Sequence, residues 1–486
     1  MKRLLLLLAV AAPLSPGIAG AQPLHYQPLT VGSRAMGSAT AFTAIADDNS
    51  AVFHNPAGLP SRERASISGG LTFRRRDVRV LDDFVVLPSG QARLTLRESA
   101  SVPNFTASAI RFGRTDAQGF RPHTLGAASF RAYTEAFGAG LTLDNARTGL
   151  TDQVFVDESL RSQWSGLSYG YRHSERFQLG GSLFLADTRL AHDELLNLYG
   201  GSPLAPGLLS GTRVVTADTA VRLRAYHFVL RLGVMVRPSR RWRLGAMLQT
   251  PGVPLKATAD VTYQANDIDG TTDPPTASFD FVQASGVPAR MPIPWELRVG
   301  VAHTHSDMVR FSLDVGVVGA VADRPLLKEA ERLTLPLETI APLLSPTTER
   351  SYVGNVAVAT HIVAREYLEV SVGVLTDLSS APRVAAREQA VARPRIHRFG
   401  FTTALGVLYS PIELAVSFAA LFGRGQATGL AISPEERISD FERTSGRSRT
   451  FLLQITGATG TAERVVELGE ERFGRSPPEP SRETPE

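Results

Sequence analysis

The sequence contains no cysteine, and this absence excludes several kinds of chemistry at once. A chain without thiols has no disulfide framework, no thiolate metal ligand and no thiol nucleophile. It also cannot carry the lipid-modified cysteine of a lipoprotein. Net charge is small as well, because 51 basic and 47 acidic residues are scattered along the chain. Since no basic face is formed, we expect no nucleic-acid partner.

Long hydrophobic runs are missing after the first residues. Lys2 and Arg3 precede a short apolar run, and small residues precede Gln22. This is the pattern of a secretory signal peptide, which is too short to span a bilayer, so we predict removal of residues 1–21 by cleavage near Ala21. No later run approaches the ~20 apolar residues that a membrane helix needs. The mature protein is therefore either soluble beyond the inner membrane or crosses a membrane as strands.

Alternation of apolar with polar or small residues recurs in many short segments. In "LSYGYR", for example, Leu167, Tyr169 and Tyr171 alternate with Ser168, Gly170 and Arg172. Period two is strand geometry, because successive side chains of a strand point to opposite faces. Tight polar turns are predicted to join pairs of segments at 173–176, 238–241, 304–307, 364–366 and 410–411. Longer connections are predicted over 190–212, 250–292, 321–350, 379–395 and 423–448.

Short turns on one side and long connections on the other are typical of an outer-membrane β-barrel. A soluble β-sandwich would show the same alternation without this asymmetry. We predict an all-β fold, an antiparallel transmembrane barrel of about 14 strands over residues 63–460. A barrel of this size has a lumen that needs filling, so an N-terminal, partly helical hatch is predicted over 22–62. A charged tail, partly disordered, is predicted over 461–486.

Location and lining follow from the same prediction. The protein is expected as a monomer in the bacterial outer membrane, with membrane lipid around it. Five charged residues near the short turns lie on the non-aliphatic face of their strands, and we expect them to point inward: Arg243, Arg298, Asp314, Glu369 and Glu413. Some should pair with polar groups of the hatch, such as Asp47 or Asn55, because an unpaired charge in a partly dry lumen is costly.

The stretch "ADDNSAVFHNPAGL", residues 46–59, predicts a series of fixed turns. Asp48 suits the N-cap of a turn over the following residues. Pro56 restricts its own φ, disfavours the α region for Asn55 and suits the first position of a new turn. Gly58 can then end that turn in a left-handed conformation.

Three groups of residues look like parts of an enzyme or metal site. They are Gly166-Leu167-Ser168-Tyr169-Gly170, which matches a nucleophile elbow, the set His303, His305 and Asp307, and the set Asp47, Asp48 and His54. A nucleophile elbow needs a strand–turn–helix context that is missing here. The second set lies at a tight turn without an obvious fourth zinc ligand. The third set suits capping and lumen hydrogen bonds better than metal or acid–base chemistry. We therefore expect no catalytic residue, no metal and no cofactor.

"GSRAMGSATAFTAIADDNSAVFHNPAGL", residues 32–59, resembles the N-terminal signature of the FadL/TodX family of outer-membrane transporters of hydrophobic compounds. The resemblance implies a fourteen-stranded barrel plugged by a hatch. Carried over residue by residue, it identifies Asn55, Pro56, Ala57 and Gly58 as the gating motif. It also implies passive uptake of a hydrophobic small molecule, such as a long-chain fatty acid.

Two features depart from that family. The mature chain begins "QPLHYQPLTVGSRAMG" and is here more similar to the PorV-type branch, some members of which are accessory proteins in secretion. An accessory or scaffold protein for secretion is therefore the alternative function. The chain also ends in a charged segment instead of an aromatic strand residue.

Overall fold

The structure is a computed structural model that describes most of the chain. The described residues are 24–61, 66–87, 90–115, 121–144, 151–201, 212–270, 272–324, 326–327, 349–365, 367–388, 394–409, 412–431 and 440–459. The predicted signal peptide, the predicted tail over 461–486 and most of the predicted connection 321–350 lie outside them.

Short helices come first, and strands follow. The helices are α1 (Ser33–Gly37), α2 (Ala51–His54) and a 3₁₀ helix (Pro56–Ser61). The strands are β1 (Ser66–Leu87), β2 (Gly90–Phe112), β3 (His123–Asp144), β4 (Thr151–Ser174), β5 (Phe177–Gly201), β6 (Thr212–Val236), β7 (Trp242–Gln249), β8 (Val253–Asp269), β9 (Thr276–Pro288), β10 (Glu296–Ser306), β11 (Val309–Val318), β12 (Val353–Arg365), β13 (Leu368–Asp377), β14 (Arg387–Glu388), β15 (Arg395–Tyr409), β16 (Ile412–Ala431) and β17 (Asp440–Thr459).

The strands form one closed antiparallel barrel, which confirms the predicted fold. Each wall strand pairs with the next, and β1 pairs with β17 over Ile67–Leu81 to close the wall. The fourteen wall strands are β1–β7, β10–β13 and β15–β17. Above β7, the hairpin β8–β9 extends the wall, because β8 pairs with the part of β6 that β7 leaves free. Closure removes the edges that hydrocarbon does not tolerate.

Several strands are longer than the sequence predicts. Much of the predicted connections 190–212, 250–292 and 423–448 is strand, since β5 continues to Gly201 and β16 to Ala431. The outward face of these extensions carries charges such as Asp193 and Arg222, whereas Leu190 and Leu223 still face the lumen. The apolar-outside pattern of the band therefore ends while the hydrogen-bond ladder continues. Cross-strand ion pairs, such as Arg213 with Asp267, help to hold the extensions together.

An apolar band surrounds the barrel near the short turns. Side chains on the outward face are large and exposed, for example Leu183 (51%) and Val299 (47%). Aromatic residues lie at the lower edge of the band, where Trp242 packs on His303 with ring centroids 4.4 Å apart. This band has the character of a lipid-facing surface with an interfacial girdle. Among the described residues, no helix is long and apolar enough to cross a bilayer.

The hatch, residues 24–61, fills the lumen. Its apolar side chains form one buried cluster with inward-facing residues of the wall, in which Phe42 and Phe53 are fully or almost fully buried.

The joint between wall strands β2 and β3, beside the hatch, is incomplete. β2 and β3 pair only between Phe105–Phe130 and Phe112–His123, and beyond Phe105 the described pairing of β2 is with β1.

Candidate functional site

The Asn-Pro pair has the shape that the sequence predicts. Asn55 is extended at φ −164° and ψ 101°, and Pro56 begins the 3₁₀ helix. The Asn55 side chain is fully buried and forms three hydrogen bonds. Its Nδ2 donates to the carbonyls of Thr43 (2.8 Å) and Val234 (3.2 Å), and its Oδ1 accepts from the Ala57 N–H (3.1 Å). Asn55 therefore joins two turns of the hatch to the wall.

Gly58 does not have the predicted role. It lies inside the 3₁₀ helix, and it is not among the described residues with positive φ. A Cβ on Gly58 would lie 2.0 Å from the Ala46 carbonyl oxygen. Close packing between two hatch turns, and not a left-handed stop, therefore requires glycine here.

Wall glycines allow the hatch to lie directly on the barrel backbone. Gly180 and Gly233 face each other across β5 and β6, and Gly245 faces Gly300 across β7 and β10. A Cβ on Gly180 would lie 2.3 Å from the Pro56 carbonyl carbon. The sequence pattern predicts glycine on the lumen face, but it does not predict the contact of this glycine with the hatch.

Asp47 and Asp48 both lie beside Arg34, and the sequence did not identify Arg34 as their partner. The Arg34 Nη1 donates to Asp47 at 2.7 Å, and Asp48 lies 3.9 Å away. Burial disfavours the Asp47 carboxylate, but Arg34 overcomes this effect and holds the pKa of Asp47 well below its usual range. Asp48 also accepts from the N–H of Ser50, and Ser50, not Asp48, is the N-cap of α2. The predicted cap is therefore displaced by two residues.

His54 lies apart from both aspartates in function. Its Nε2 is 2.8 Å from the Val31 carbonyl oxygen, and its ring packs edge-on against Phe42 and Phe53. Burial lowers the pKa of His54 to about 3, so the ring is neutral at pH 7 and donates Nε2–H to Val31. Asp47 and Asp48 thus share Arg34, whereas His54 has a structural partner of its own.

The five predicted lining residues all lie on the inner face of their strands. Asp314 accepts from the N–H groups of Phe42 (3.1 Å) and Thr43 (2.9 Å). Arg298 donates to Thr40 at 3.1 Å.

The other three predicted lining residues lie around Arg34 and its two aspartates. Glu369 accepts from Arg34 Nε at 3.2 Å. Glu413 lines a small space with Arg34 and Asp48. Arg243 is half-buried between the outward-facing Trp242 and Leu244.

A second buried charge group was not predicted. Arg231 donates to Glu296 (2.9 Å) and to the Phe53 carbonyl (2.6 Å), and its guanidinium lies 3.6 Å from the centre of the Phe53 ring. Glu296 also accepts from Arg298 at 2.9 Å. The period-two pattern places Arg231 and Glu296 on the lumen face. They were not predicted as lining residues, because only charged residues beside short turns were considered.

Apolar side chains line the lumen from the hatch upward. Phe53 packs against Phe130 (5.0 Å between ring centroids) and Trp164 (5.9 Å). Above this aromatic cluster, a second buried cluster continues along β4, β5, β6 and β8 to the upper lumen: Leu160, Leu190, Leu223, Ala225, Ala259, Val261, Ala289, Met291 and Leu326. The buried polar side chains Ser162, Thr188 and His227 lie between the two clusters, and the Ser162 and Thr188 hydroxyls are 2.8 Å apart.

The first hatch residues cover the incomplete wall joint from inside. Thr30 accepts at its carbonyl from Asn104 of β2 (2.7 Å), and its Oγ1 donates to the Arg131 carbonyl of β3. Tyr26 packs edge-on against Tyr133 of β3. A cavity of about 60 Å³ remains between this segment and the wall.

The enzyme-like patterns lie in ordinary strand positions. Ser168 is on the inner face of the continuous strand β4, where Ser182 donates to it at 2.7 Å. On the outer face, His303 packs against Trp242 with tilted rings, and His305 packs edge-on against Phe311. Within the described part of the chain, no group of three His, Cys, Asp or Glu side chains is placed to hold a metal.

Comparison with known proteins shows the fold. No family model and no curated protein sequence matches the chain. A Pseudomonas aeruginosa FadL homologue superposes with a TM-score of 0.57 and 12% identity over 91% of this chain and 100% of its own. The P. putida toluene transporter TodX gives a TM-score of 0.53 and 14% identity over 85% and 94% of the two chains.

A further match is the CymD monoaromatic hydrocarbon channel, with a TM-score of 0.51 and 14% identity over 89% of this chain and 98% of that one. The class that the fold defines is thus a hatch-plugged outer-membrane β-barrel. More particularly, the chain has the fold of the FadL and TodX channels.

Proposed function

We propose that the protein carries hydrophobic small molecules passively across the outer membrane and that the hatch gates their passage. The apolar inner face carries this proposal. A water-filled porin has a polar lumen, whereas this lumen contains two clusters of apolar and aromatic side chains between Leu326 and Phe53, with Ser162, Thr188 and His227 between them. Such a lining favours an apolar solute over a hydrophilic one.

The similar proteins support the same substrate class, since TodX is a toluene transporter and CymD is a monoaromatic hydrocarbon channel. A long-chain fatty acid is the substrate we expect from the hatch motif around Asn55. Its tail would lie along the apolar clusters.

Passage requires movement, because the cavity of about 60 Å³ between the first hatch residues and the wall is far smaller than the ~300 Å³ or more of a ligand site. The hatch has features that suit a movable part. Ala39, Thr40 and Ala46 have φ of 53°, 68° and 32°, which costs roughly 1–2 kcal/mol each for a residue with a Cβ. Contacts with the wall maintain this strained backbone, and a ligand that replaced some of those contacts would favour a second arrangement.

The incomplete joint between β2 and β3 offers a route out of the lumen. The N-terminal segment, residues 24–30, covers it from inside through contacts such as Asn104 with Thr30. A shift of this segment would connect the apolar lumen with the side of the barrel. Asn55-Pro56-Ala57-Gly58 would hold the lower half of the hatch in place during that shift.

Two measurements test the proposal. Small molecules extracted from the detergent-purified protein should include fatty acids or similar apolar compounds. A strain that lacks the protein should lose uptake of labelled long-chain fatty acid, and Leu223→Asn, which places an amide in the upper apolar cluster, should restore it poorly. Thr219→Asn on the same face of β6, outside that cluster, is the matched control.

The opposite result is as informative. If deletion left uptake unchanged and instead depleted secreted proteins from the medium, the accessory role in secretion would replace transport.

A further inference from the structure

A row of three arginines crosses the outer surface of the barrel. Arg161 on β4 lies directly opposite Arg189 on β5, which lies directly opposite Arg224 on β6. All three side chains are exposed, Arg189 by 61% and Arg224 by 47%. Like charges that face each other across adjacent strands repel one another. The isolated barrel therefore carries an unfavourable arrangement at this position.

The local acidic groups offset only part of this repulsion. A single carboxylate, Asp187, accepts from Arg189 (2.9 Å) and from Arg224 (2.8 Å). Among the described side chains, no acidic group pairs with Arg161. These four residues together carry two positive charges in excess.

The row lies where the apolar band ends. Outward-facing residues of β5 are apolar or glycine from Phe177 to Leu185, and charge begins with Asp187. On β6, the outward face is apolar from Val236 to Phe228. Tyr226 follows at the boundary, with the Arg224 guanidinium 4.8 Å from its ring centre.

This boundary is at the end of the band away from the short turns. Because short turns face the periplasm in outer-membrane barrels, the row lies at the headgroup level of the outer leaflet. Arginine is well suited to phosphate, since its planar guanidinium donates two parallel hydrogen bonds to oxyanions.

We propose that Arg161, Arg189 and Arg224 form a binding site for a phosphate group on the headgroup of an outer-leaflet lipid. The phosphate oxygens would bridge guanidinium groups that otherwise repel each other, and the acyl chains would lie on the apolar band below. The proposal depends on placement in the outer membrane and is independent of what the lumen transports.

The test compares Arg161→Gln/Arg189→Gln/Arg224→Gln with a matched variant. The control, Arg176→Gln/Arg240→Gln/Arg241→Gln, removes three exposed arginines at the short turns, on the other side of the membrane. Both are purified in detergent, and native mass spectrometry measures binding of lipopolysaccharide, of dephosphorylated lipopolysaccharide and of inorganic phosphate.

Wild type and control should bind the phosphorylated lipid, while the row variant should bind it at least about tenfold more weakly, as expected for loss of charged hydrogen bonds. Dephosphorylated lipid should bind weakly to all three. Equal binding by the row variant and wild type would overturn the proposal. Equal competition by inorganic phosphate at matched concentration would show a simple anion site and would overturn the lipid assignment.

Folding is checked independently by heat-modifiable gel migration. Without lipid, the row variant should be about as stable as wild type, because relief of the repulsion between like charges offsets the loss of the two ion pairs with Asp187. If the triple variant failed to fold, Arg161→Gln alone decides the question, since this residue has no acidic partner among the described side chains. Arg161→Gln should bind the phosphorylated lipid more weakly than wild type, and unchanged binding would contradict the site.

Discussion

Asn55 of the hatch and Gly233 of the wall are in such close contact that a Cβ on Gly233 would lie 2.1 Å from Asn55 Oδ1. Asn55 also donates to the carbonyl of Val234, the next residue of β6. The conformation of the hatch therefore depends on the missing side chain of Gly233 as well as on hydrogen bonds with the wall. Glycine at this position of β6 is a packing requirement of the closed state.

Substitution of Gly233 should displace the hatch without unfolding the barrel. Gly233→Val would force Asn55 and Pro56 away from β6, since both lie within 3.0 Å of the added Cβ. The strand ladder should persist. We expect normal heat-modifiable migration together with increased leakage of a small dye into liposomes. Gly354→Val is the matched control, because a Cβ on this glycine of β12 meets nothing within 4 Å. Equal leakage from the two variants would contradict the prediction.

Acid should loosen the hatch through His54. The pKa of His54 is lowered by burial from 6.5 to about 3, so a released hatch takes up a proton that the docked hatch refuses. Docking is therefore at full strength above pH 6.5 and weakens as the pH falls from 6.5 toward 3, by at most about 1.4 kcal/mol per pH unit.

The measurement is hydrogen–deuterium exchange of residues 51–54 across that pH range, corrected for intrinsic rates. His54→Gln keeps an N–H donor for Val31 but cannot titrate, so its protection should depend less on pH. His303→Gln on the outer face should behave as wild type. An unchanged pH dependence in His54→Gln would exclude His54 as the sensor.

Arg34 and Glu369 should be strongly coupled. Their ion pair joins the hatch to β13 at 3.2 Å with little exposure. Glu369→Gln leaves Arg34 with Asp47 and Asp48, whereas Arg34→Gln removes the cation from all three carboxylates. Each single variant should destabilise hatch docking by roughly 1–3 kcal/mol, Arg34→Gln by the larger amount. The double variant should cost clearly less than the sum.

Thermal release of the hatch, followed by proteolysis, gives the double-mutant cycle. The exposed pair Arg222 and Asp193 is a suitable control, because their side chains are 51% and 36% exposed. Its coupling should not exceed about 1 kcal/mol. Additive effects of Arg34→Gln and Glu369→Gln would show that this pair does not hold the hatch.

The orientation of the barrel can be tested with single cysteines, since the chain has none of its own. Ser278 is exposed on β9, and Ser239 is exposed in the short turn before β7. An impermeant maleimide should label Ser278→Cys on intact cells but label Ser239→Cys only after the cells are opened. Ser278 is preferable to the neighbouring Asp267, which pairs with Arg213. The reverse labelling would invert the topology and remove the basis of the lipid site.

The sequence predicts the barrel because lipid imposes apolar residues on one face of every crossing strand. That rule ends at the edge of the membrane, where the outward face carries charges such as Asp193 and Arg222. The continuation of β5 to Gly201 therefore could not be inferred from hydropathy alone. Local rules likewise predicted the conformation of Asn55 and Pro56, which is set by their own chemistry.

Contacts between distant parts of the chain could not be predicted in the same way. Arg34 and Glu369 are 335 residues apart, and no local pattern identifies them as partners. The role of Gly58 was misread for a related reason. Its constraint is the Ala46 carbonyl twelve residues earlier, on another turn of the hatch, whereas capping rules consider only the adjacent backbone.

The hatch motif itself is tested by replacing Asn55-Pro56 with Ala-Ala. The substitution removes two hydrogen bonds that Asn55 donates and one that it accepts, and it frees the backbone that Pro56 restricts. Loss of a buried amide with several partners should weaken hatch docking by about 1–3 kcal/mol. Barrel migration on a heat-modifiable gel should remain normal, because barrel stability comes from the closed ladder. Uptake of a labelled long-chain fatty acid, or leakage of a small dye, should change.

Asn197→Ala on the outer face of β5 is the control for loss of an asparagine that does not touch the hatch. Normal folding with unchanged uptake and leakage would mean that Asn55-Pro56 is ordinary packing and that gating lies elsewhere in the lumen.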